Sequence, residues 1–438
     1  MLRFILTFLI SAIITTSQAN AAEPALTRIN HIIVIYLENH SFDNLYGLFP
    51  GANGLDQAVY THLQTDEAGK PYSTLPAIKD VRFPHALGNR PFPIEQYVPA
   101  NEKTDDLVHR FYQNQAQING GRNDRFAGIS DAAGLVMGYY DGSKLPLWQY
   151  AKKYTLADNF YQAAFGGSFL NHFWLVCACT PSFPNASDNL RASLDAHGNL
   201  IKDGAVTPDG YAVNTLQPMT MPYRKSTLPA KRLPLQTLPT IGDRLSEKDI
   251  SWAWYSGGWN DAINGHADKE FQYHHQPFGY FKNFAEDTQG RLQHLKDESD
   301  FIADIKNGNL PAVSFYKPLG TLNEHPGYTD ILSGEKHIAE IISHIENSKL
   351  WKDSLIIVTY DENGGFWDHV APPVKDRWGP GLRVPTLIIS PYAKRGFVDH
   401  TQYDTTSILK FIETRYKLNP LGTRDGDAAN LTNSLELN

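Results

Sequence analysis

Five short apolar stretches, separated by Gly- and Pro-rich segments, dominate the hydrophobic pattern of the chain. They are rich in β-branched and aromatic residues and lack strict alternation, which is typical of strands covered on both faces. Helical patterns lie between or after them, as in EKHIAEIISHIENS from Glu335 and TTSILKFIETRY from Thr405. Strands alternating with helices predict a layered α/β fold with a mainly parallel sheet. The predicted strands are INHIIVIYL from Ile29, ISWAWY from Ile250, PAVSFY from Pro311, SLIIVTY from Ser354 and VPTLIIS from Val384.

One segment, at about 196–248, departs from this pattern because it is rich in Pro, Thr and Gly. Such composition predicts an irregular insertion at the surface, in a position where it could cover an active site. The rest of 22–438 is predicted to form a single domain around one sheet.

The first residues predict export. Arg3 precedes a stretch from Phe4 to Ile10 that is apolar except for Thr7, and the small-residue segment SQANAAEPA follows. This pattern predicts a signal peptide over 1–21, with Ala19-Asn20-Ala21 as the cleavage site. The apolar run is shorter than the roughly 20 residues that span a bilayer. We therefore expect a periplasmic or secreted protein.

Composition narrows the function classes. The formal net charge of -8 argues against nonspecific binding to nucleic acid, and 42% hydrophobic residues permit a large core. Cys177 and Cys179 are two positions apart, an awkward separation for the geometry of a disulfide. We predict two buried, reduced cysteines, with a local bridge or a metal role as the alternatives.

Polar side chains collect directly after several predicted strands, where α/β sheets bind their ligands. Glu38 and Asn39 follow the first strand, and Asp361 and Glu362 follow SLIIVTY. Each pair alone could be turn chemistry. Carboxylates brought close together, however, repel one another and take up protons unless a cation lies between them. The pattern therefore predicts a divalent metal site. Further polar residues after strands are His274, His275, Lys317, Glu324 and His325.

A nucleophile for such a site is suggested by Ser168, which follows Gly166-Gly167 and precedes an apolar, helix-like segment. The serine could simply cap the helix. It could also lie where backbone N–H groups attract a phosphate. A metal with carboxylate and carboxamide ligands polarises phosphoryl oxygens and activates a bound hydroxyl.

Four motifs carry a family resemblance. In chain order they are YLENHSFDNLYG, GGSFLNH, NEHPGYTDILSG and TYDENGGFWDHVAPP. They resemble the signatures of the bacterial phosphoesterase family that joins phosphatidylcholine-type phospholipases C with exported acid phosphatases, over about Ile29 to Leu418. The resemblance implies an alkaline-phosphatase-like, three-layer α/β/α sandwich with a metal beside a hydroxyl nucleophile.

The resemblance also implies roles for particular residues. Ser168 would be both nucleophile and metal ligand. Asn171 and, less firmly matched, His85 would bind substrate. One or more divalent ions, with zinc or calcium favoured, would be held by Ser168 together with Glu38, Asn39, Asp361 and Glu362. The remaining catalytic histidines would be His325, His274 and His275.

The other histidines, including His109 and His172, are interpreted as surface or core residues. Asp368 and His369 are interpreted as a structural hydrogen-bonding pair, with orientation of a metal ligand as the alternative.

The sequence leaves two classes of substrate open, phospholipids and phosphomonoesters. Export and a possible choline-binding cage favour a phospholipase C, which would contact a membrane surface during turnover. The cage would be formed by Trp252, Trp254, Tyr255 and Trp259. Ser rather than Thr at 168 and the short chain favour an acid phosphatase acting on phosphomonoesters. An inactive phosphate-ester binding protein is a third reading, against which the retained site residues count. The sequence leaves the oligomeric state open.

Overall fold

An eight-stranded sheet forms the centre of the structure, a computed structural model that describes residues 26–437. The predicted signal peptide lies outside the described residues. The strands stand in the order β4-β3-β5-β1-β6-β7-β2-β8, and every pairing is parallel except the two made by β7. The strands are β1 His31–Leu37, β2 Thr155–Ala157, β3 Trp252–Ser256, β4 Leu295–Asp297, β5 Val313–Lys317, β6 Ser354–Tyr360, β7 Thr386–Ile389 and β8 Phe397–Asp399.

Helices flank this sheet. The α-helices of the described chain are α1 Phe42–Tyr46, α2 Phe111–Ile118, α3 Phe126–Ile129, α4 Pro146–Lys153, α5 Ser168–Cys177, α6 Ile241–Ser246, α7 Trp259–Ile263, α8 Gln289–His294, α9 Glu298–Asn307, α10 Ile331–Glu346, α11 Thr406–Tyr416 and α12 Thr423–Asp427. Short 3-10 helices occupy Leu55–Tyr60, Asn119–Gly121, Ala133–Met137, Gly142–Lys144, Pro229–Lys231, Tyr273–His275, Pro277–Tyr280, Lys282–Phe284, Trp351–Asp353 and Leu431–Ser434. Small strand pairs join Phe92–Pro93 to Gly138–Tyr139, Phe160–Tyr161 to Tyr403–Asp404, Ser193–Leu194 to Leu200–Lys202 and Gln217–Pro218 to Arg232–Leu233.

The two faces of the sheet pack against different helices because successive side chains of a strand point in opposite directions. Tyr36 of β1 points toward α5, where its hydroxyl donates a hydrogen bond to the Asn171 carbonyl at 3.4 Å. Tyr316 of β5 is paired in register with Ile35 and so points the other way, where its hydroxyl lies 2.6 Å from His337 Nε2 of α10. The sheet is therefore covered on both sides, which confirms the predicted α/β sandwich.

The sequence pattern accounts for the longest elements. All seven residues of β6 and six of the seven in β1 are buried, as expected for strands covered on both faces. Helix α10 begins after Asp330, whose carboxylate accepts a hydrogen bond from the Ser333 N–H at 2.9 Å. Its isoleucines 338, 341, 342 and 345 form one buried stripe. Each of the five predicted strands is present in the sheet.

Three polar side chains meet at the carboxyl end of the central strands. Leu37 is paired with Tyr360, so that Glu38 and Asp361 leave β1 and β6 side by side. Lys317 is the last residue of β5, the neighbour of β1 on its other side. These polar residues therefore lie together at the carboxyl edge of the sheet, as predicted.

The prediction for the cysteines is wrong. Cys177 and Cys179 form a disulfide with their Cα atoms 5.1 Å apart. Helix α5 ends at Cys177, and Ala178 takes the left-handed conformation with φ of 47°. This reversal of the chain brings together two side chains that an extended or helical backbone would direct apart.

The segment 196–248 contains short strands, a 3-10 helix and helix α6, joined by irregular chain. No helix in the range 26–437 combines the length and apolar character needed to cross a membrane.

Candidate active site

Ser168 is the first residue of α5 and follows a tight turn formed by the preceding glycines. Gly166 has a φ of +81°, and a Cβ there would come within 2.4 Å of the Phe111 nitrogen. Only glycine fits that position without a shift of the backbone. The turn directs the Ser168 hydroxyl to Glu38 Oε2 at 3.0 Å and to Asn39 Oδ1 at 3.3 Å.

Asn39 connects the serine to a histidine. Its backbone is left-handed, with φ of 63°, a conformation that asparagine tolerates better than most residues. The side-chain Oδ1 faces Ser168, and Nδ2 lies 3.1 Å from His325 Nε2. His325 Nδ1 lies 2.6 Å from the Pro326 carbonyl, which fixes the proton on Nδ1 and leaves Nε2 to accept from Asn39. The ring of His325 stacks on Tyr328 with centroids 3.9 Å apart.

Asp361 and Glu362 are fully buried and only partly satisfied. Asp361 Oδ1 accepts hydrogen bonds from the Asn39 and Glu362 N–H groups, and Glu362 Oε2 accepts one from Gly364. Asp361 Oδ2 and Glu362 Oε1 have no hydrogen-bond partner within the described part of the chain. Burial, together with the charge of Glu38, raises the pKa of Asp361 to about 8. Burial and Asp361 raise the pKa of Glu362 well above its ordinary value.

These carboxylates fit a divalent cation. Buried carboxylate oxygens without a donor are costly unless a cation neutralises them. Beside them, the Ser168 hydroxyl lies 3.0 Å from Glu38 Oε2 and 3.3 Å from the side-chain oxygen of Asn39, which adds further hard oxygen donors. The residues present therefore suit a metal ion, as the sequence predicted.

Glu38 is held differently from its neighbours. Its Oε1 contacts the Lys317 ammonium and lies 2.9 Å from His275 Nε2, while Oε2 faces Ser168. Burial alone would raise the pKa of Glu38, but Lys317 and His275 together hold it well below its ordinary value. Glu38 therefore stays ionised beside the Ser168 hydroxyl.

A cavity of about 130 Å³ opens onto this centre. Its lining comprises Glu38, His109, Arg110, Gly167, Ser168, Phe169, Val213, Asn214, Thr215, Gln272, His274, His275, His325 and Tyr328. Val213, Asn214 and Thr215 belong to the segment 196–248, so that segment forms part of the wall. The three predicted catalytic histidines, Glu38 and Ser168 thus face one space, whereas Asn39, Asp361 and Glu362 are not part of its wall.

Burial sets the charge of the histidines. It lowers the pKa of His275 to about 4 and that of His325 below its ordinary value. Burial and the neighbouring His275 lower the pKa of His274 well below its ordinary value. All three imidazoles are therefore neutral near pH 7 before a substrate binds.

The two predicted substrate-binding residues are not on the cavity wall. His85 is exposed on a surface loop. Asn171 is fully buried, and its amide bonds to the backbone of the loop that precedes Ser168. Its Oδ1 accepts from the Ala164 N–H at 2.9 Å, and its Nδ2 lies 3.2 to 3.3 Å from the carbonyls of Ala164, Gly166 and Gly167. This places Asn171 behind Ser168, where it shapes the loop.

The predicted choline cage is also wrong. Its four aromatic residues are buried in the core, and none of them lines the cavity: Trp252, Trp254, Tyr255 and Trp259. Trp254 stacks on Phe315 at 5.4 Å, as a residue of a packed sheet does. The cavity instead presents Phe169 and Tyr328.

Two histidines at the site were interpreted from sequence as surface or core residues. His109 lines the cavity, with Nε2 3.9 Å from Glu362 Oε1 and its ring against His325. It precedes α2 and follows no strand, so the chain gave no local signal for it. His172 is buried one helical turn after Ser168, and its Nδ1 donates to the Ser168 carbonyl at 2.7 Å. The spacing of four residues on a predicted helix was a usable signal.

The sequence was also compared with protein families and with individual known proteins. The model of the phosphoesterase family matches residues 29–419. The chain is 25% identical to phospholipase C B of Mycobacterium tuberculosis, over 93% of this chain and 78% of that protein. It is 24% identical to the non-hemolytic phospholipase C of Pseudomonas aeruginosa, over 91% of this chain and 56% of that protein.

Among solved structures, a protein in the alkaline phosphatase superfamily from Vibrio parahaemolyticus is similar over 75% of this chain and 72% of its own. The identity is 12% and the TM-score is 0.36. A score this low adds nothing to the fold assignment, which rests on the sheet itself.

Proposed function

Because this chain belongs to the phosphoesterase family and is therefore a hydrolase of phosphoric esters, we propose that it is a phospholipase C with Ser168 as its nucleophile. The observation that carries the proposal is the Ser168 hydroxyl, held at 3.0 Å from Glu38 and 3.3 Å from Asn39 beside two carboxylates without donors. The serine also begins α5, where free backbone N–H groups favour a phosphate.

Glu38, Asn39, Asp361 and Glu362 would hold the cation, with Ser168 as a further ligand. When bound, a zinc or calcium ion would neutralise the carboxylates and polarise a phosphoryl oxygen. The His109 imidazole, close to Glu362 and on the cavity wall, would bind a phosphoryl oxygen.

The reaction follows from the positions of the protein groups. The Ser168 oxygen attacks phosphorus and forms a phosphoseryl bond, while the bond between phosphorus and the glycerol oxygen breaks. His325 or His274, both on the cavity wall and neutral before a substrate binds, takes the proton of the Ser168 hydroxyl and passes it to that leaving oxygen, so diacylglycerol departs as an alcohol. Water then attacks phosphorus, releases the phosphorylated headgroup and restores the Ser168 hydroxyl.

A second candidate is a phosphatase acting on phosphomonoesters. The small cavity, about 130 Å³, and the core position of the aromatic residues that would have bound choline favour it. The named relatives favour the phospholipase, and a lipid needs only its phosphate group to enter the cavity while its acyl chains stay outside.

The test compares the purified protein on phosphatidylcholine vesicles and on p-nitrophenyl phosphate, with and without EDTA, followed by readdition of zinc or calcium. Phosphocholine and free phosphate are measured separately. We expect EDTA-sensitive release of phosphocholine that is lost in Ser168→Ala and kept in Ser333→Ala, a matched serine in the first turn of α10. Release of phosphate from the monoester alone would establish the second candidate. Full turnover by Ser168→Ala would remove Ser168 from the mechanism.

A further inference from the structure

The two carboxylate oxygens of Glu38 serve different partners. Oε2 accepts the hydrogen bond of the nucleophile Ser168 at 3.0 Å. Oε1 points away from it, into contact with the Lys317 ammonium and to 2.9 Å from His275 Nε2. Lys317 and Glu38 are both completely buried. A cation is therefore built into the protein on the side of Glu38 that faces away from the serine.

Lys317 lies within a set of groups that would otherwise suit a metal ion. Glu38, His172 and His275 each offer a ligand atom, and these atoms lie within 4.8 Å of one another. One carboxylate and two imidazoles form a common zinc-binding set. The Nε2 atom of His172 has no hydrogen-bond partner in residues 26–437, and that of His275 faces Glu38 Oε1 at 2.9 Å.

The lysine is fixed in this place by its surroundings. It ends β5, next to β1, and its Nζ donates to the Leu37 carbonyl at 3.2 Å. The ammonium also lies 5.1 Å from the centre of the Tyr36 ring, within range of a cation–π interaction. A second metal ion beside Glu38 would have to displace the ammonium or share the space with it. Either arrangement would leave a buried positive charge without its partner, which is strongly unfavourable.

We propose that Lys317 takes the place of a second metal ion and prevents the Glu38–His172–His275 triad from binding one. As a positioning residue, it neutralises Glu38 Oε1 and holds Oε2 toward Ser168. The exclusion concerns this triad alone; only the cation on the other side of Glu38 rests on the proposed function.

The experiment measures bound zinc per chain by mass spectrometry after dialysis against EDTA and then against micromolar zinc. The proteins compared are the wild type, Lys317→Met, which has an apolar side chain of similar length, and Lys317→Arg, which keeps the charge. We expect Lys317→Met to bind one zinc ion per chain more than the wild type, and Lys317→Arg to match the wild type. The extra ion should disappear in Lys317→Met combined with His172→Gln. Cobalt in place of zinc should give the visible absorption of a tetrahedral site in Lys317→Met.

The outcome does not depend on activity. If the wild type binds no zinc and Lys317→Met binds one ion that requires His172, the proposed catalytic zinc fails and the role of Lys317 stands. Equal zinc in the wild type and folded Lys317→Met would overturn the inference, as would an extra ion that persists without His172. Should Lys317→Met fail to fold, Lys317→Gln, which can still donate to the Leu37 carbonyl, answers the same question.

Discussion

Two acidic clusters are built from the same two segments of the chain, and they have opposite character. The segments after β1 and β6 first supply Glu38, Asn39, Asp361 and Glu362 to the candidate site, of which Glu38 lines the cavity. A few residues later they supply Asp43, Asp368 and His369 to a second cluster. In the first cluster buried carboxylate oxygens are left without donors, whereas in the second cluster a guanidinium bonds both carboxylates.

Arg383 is the residue that makes the difference. It is completely buried and donates to both oxygens of Asp368, at 2.9 and 3.1 Å, and to Asp43 at 3.1 Å. His369 Nδ1 lies 2.7 Å from the other oxygen of Asp43, and its Nε2 lies 3.0 Å from Asn53 Oδ1. Both carboxylates of this cluster are thus bonded by groups of the protein itself, which supports the structural reading of Asp368 and His369.

A buried acidic cluster is a candidate cation site when its carboxylate oxygens lack a donor within the protein. Asp43 and Asp368 have a resident cation, so they join the two segments and need no ligand. Asp361 and Glu362 each have a carboxylate oxygen without a donor in the described chain, which marks them as the candidate cation site. Proximity of carboxylates is common to both clusters; the missing donor is what distinguishes the candidate site.

The first prediction replaces one carboxylate of each cluster by an amide. Asp361→Asn removes a proposed metal ligand, so we expect phosphoester turnover to fall at least about 10³-fold, or about 4 kcal/mol in the barrier. The free energy of unfolding without added metal should stay the same or rise, because the amide, unlike the carboxyl, does not have to take up a proton to be neutral in the buried site. Asp368→Asn should instead lower that free energy by about 3 kcal/mol while the folded fraction keeps its turnover. Steady-state kinetics and urea denaturation of both proteins measure the two effects. Equal loss of activity in both variants would abolish the distinction.

The second prediction removes the resident cation. Arg383→Met leaves Asp43 and Asp368 buried without their guanidinium, so the free energy of unfolding should fall by about 3 to 5 kcal/mol. The matched control is Arg377→Met, since Arg377 pairs with Asp209 at the surface, where such pairs contribute about 0 to 1 kcal/mol. Urea denaturation followed by fluorescence gives both values. A loss in Arg383→Met no larger than in the control would show that the second cluster does not depend on its guanidinium.

Most of the sheet could be predicted from the sequence because its central strands are covered on both faces and read as continuous apolar runs. β2, β4 and β8 were missed since each has three residues, too few for a pattern. The disulfide was missed for a different reason. Whether Cys177 and Cys179 can meet depends on the left-handed Ala178 between them, and nothing in the local sequence requires that conformation.

The site was predictable where a strand delivers it. Glu38, Asn39, Asp361 and Glu362 follow β1 and β6, and Ser168 follows a glycine pair, so sequence position and geometry agree. His109 comes to Glu362 through tertiary packing of the chain before α2, which leaves no periodic signal. Arg383 is similar, because a lone arginine before a strand does not reveal two aspartates brought to it from elsewhere.

A third pair of buried carboxyl groups belongs to neither cluster. Glu324 and Glu335 are buried, each has an oxygen without a donor in the described structure, and neither lines the cavity. Burial raises the pKa of Glu335 to about 8, so this group is protonated in the folded state at neutral pH and ionised in the unfolded state. Stability should therefore fall as pH rises from about 4.5 toward 8. Glu335→Gln removes this cost and should raise the free energy of unfolding at pH 7 by on the order of 2 kcal/mol.

Urea denaturation at pH 5, 7 and 8 tests this prediction, with Glu340→Gln, an exposed position on the same helix, as the control. The gain in Glu335→Gln should be smallest at pH 5 and largest at pH 8. A gain that does not change with pH would mean that Glu335 is ionised in the folded protein. Carboxylate oxygens without a donor could then attract a cation outside the cavity as well.

The smallest effect is the proton that the site must lose when it takes up its cation. Before binding, the Asp361 carboxyl has a pKa of about 8 because of burial and the Glu38 charge, so it carries a proton at pH 6 and 7. A metal ion binds the carboxylates of Asp361 and Glu362, whose pKa values are both raised, so its affinity should rise by at least about tenfold, or about 1.4 kcal/mol, per pH unit up to pH 8. Titration calorimetry at pH 6, 7 and 8 in buffers of different ionisation enthalpy measures both the affinity and the protons released. If affinity is independent of pH over this range, Asp361 is already ionised without the metal, and the contrast with the Arg383 cluster loses its electrostatic basis.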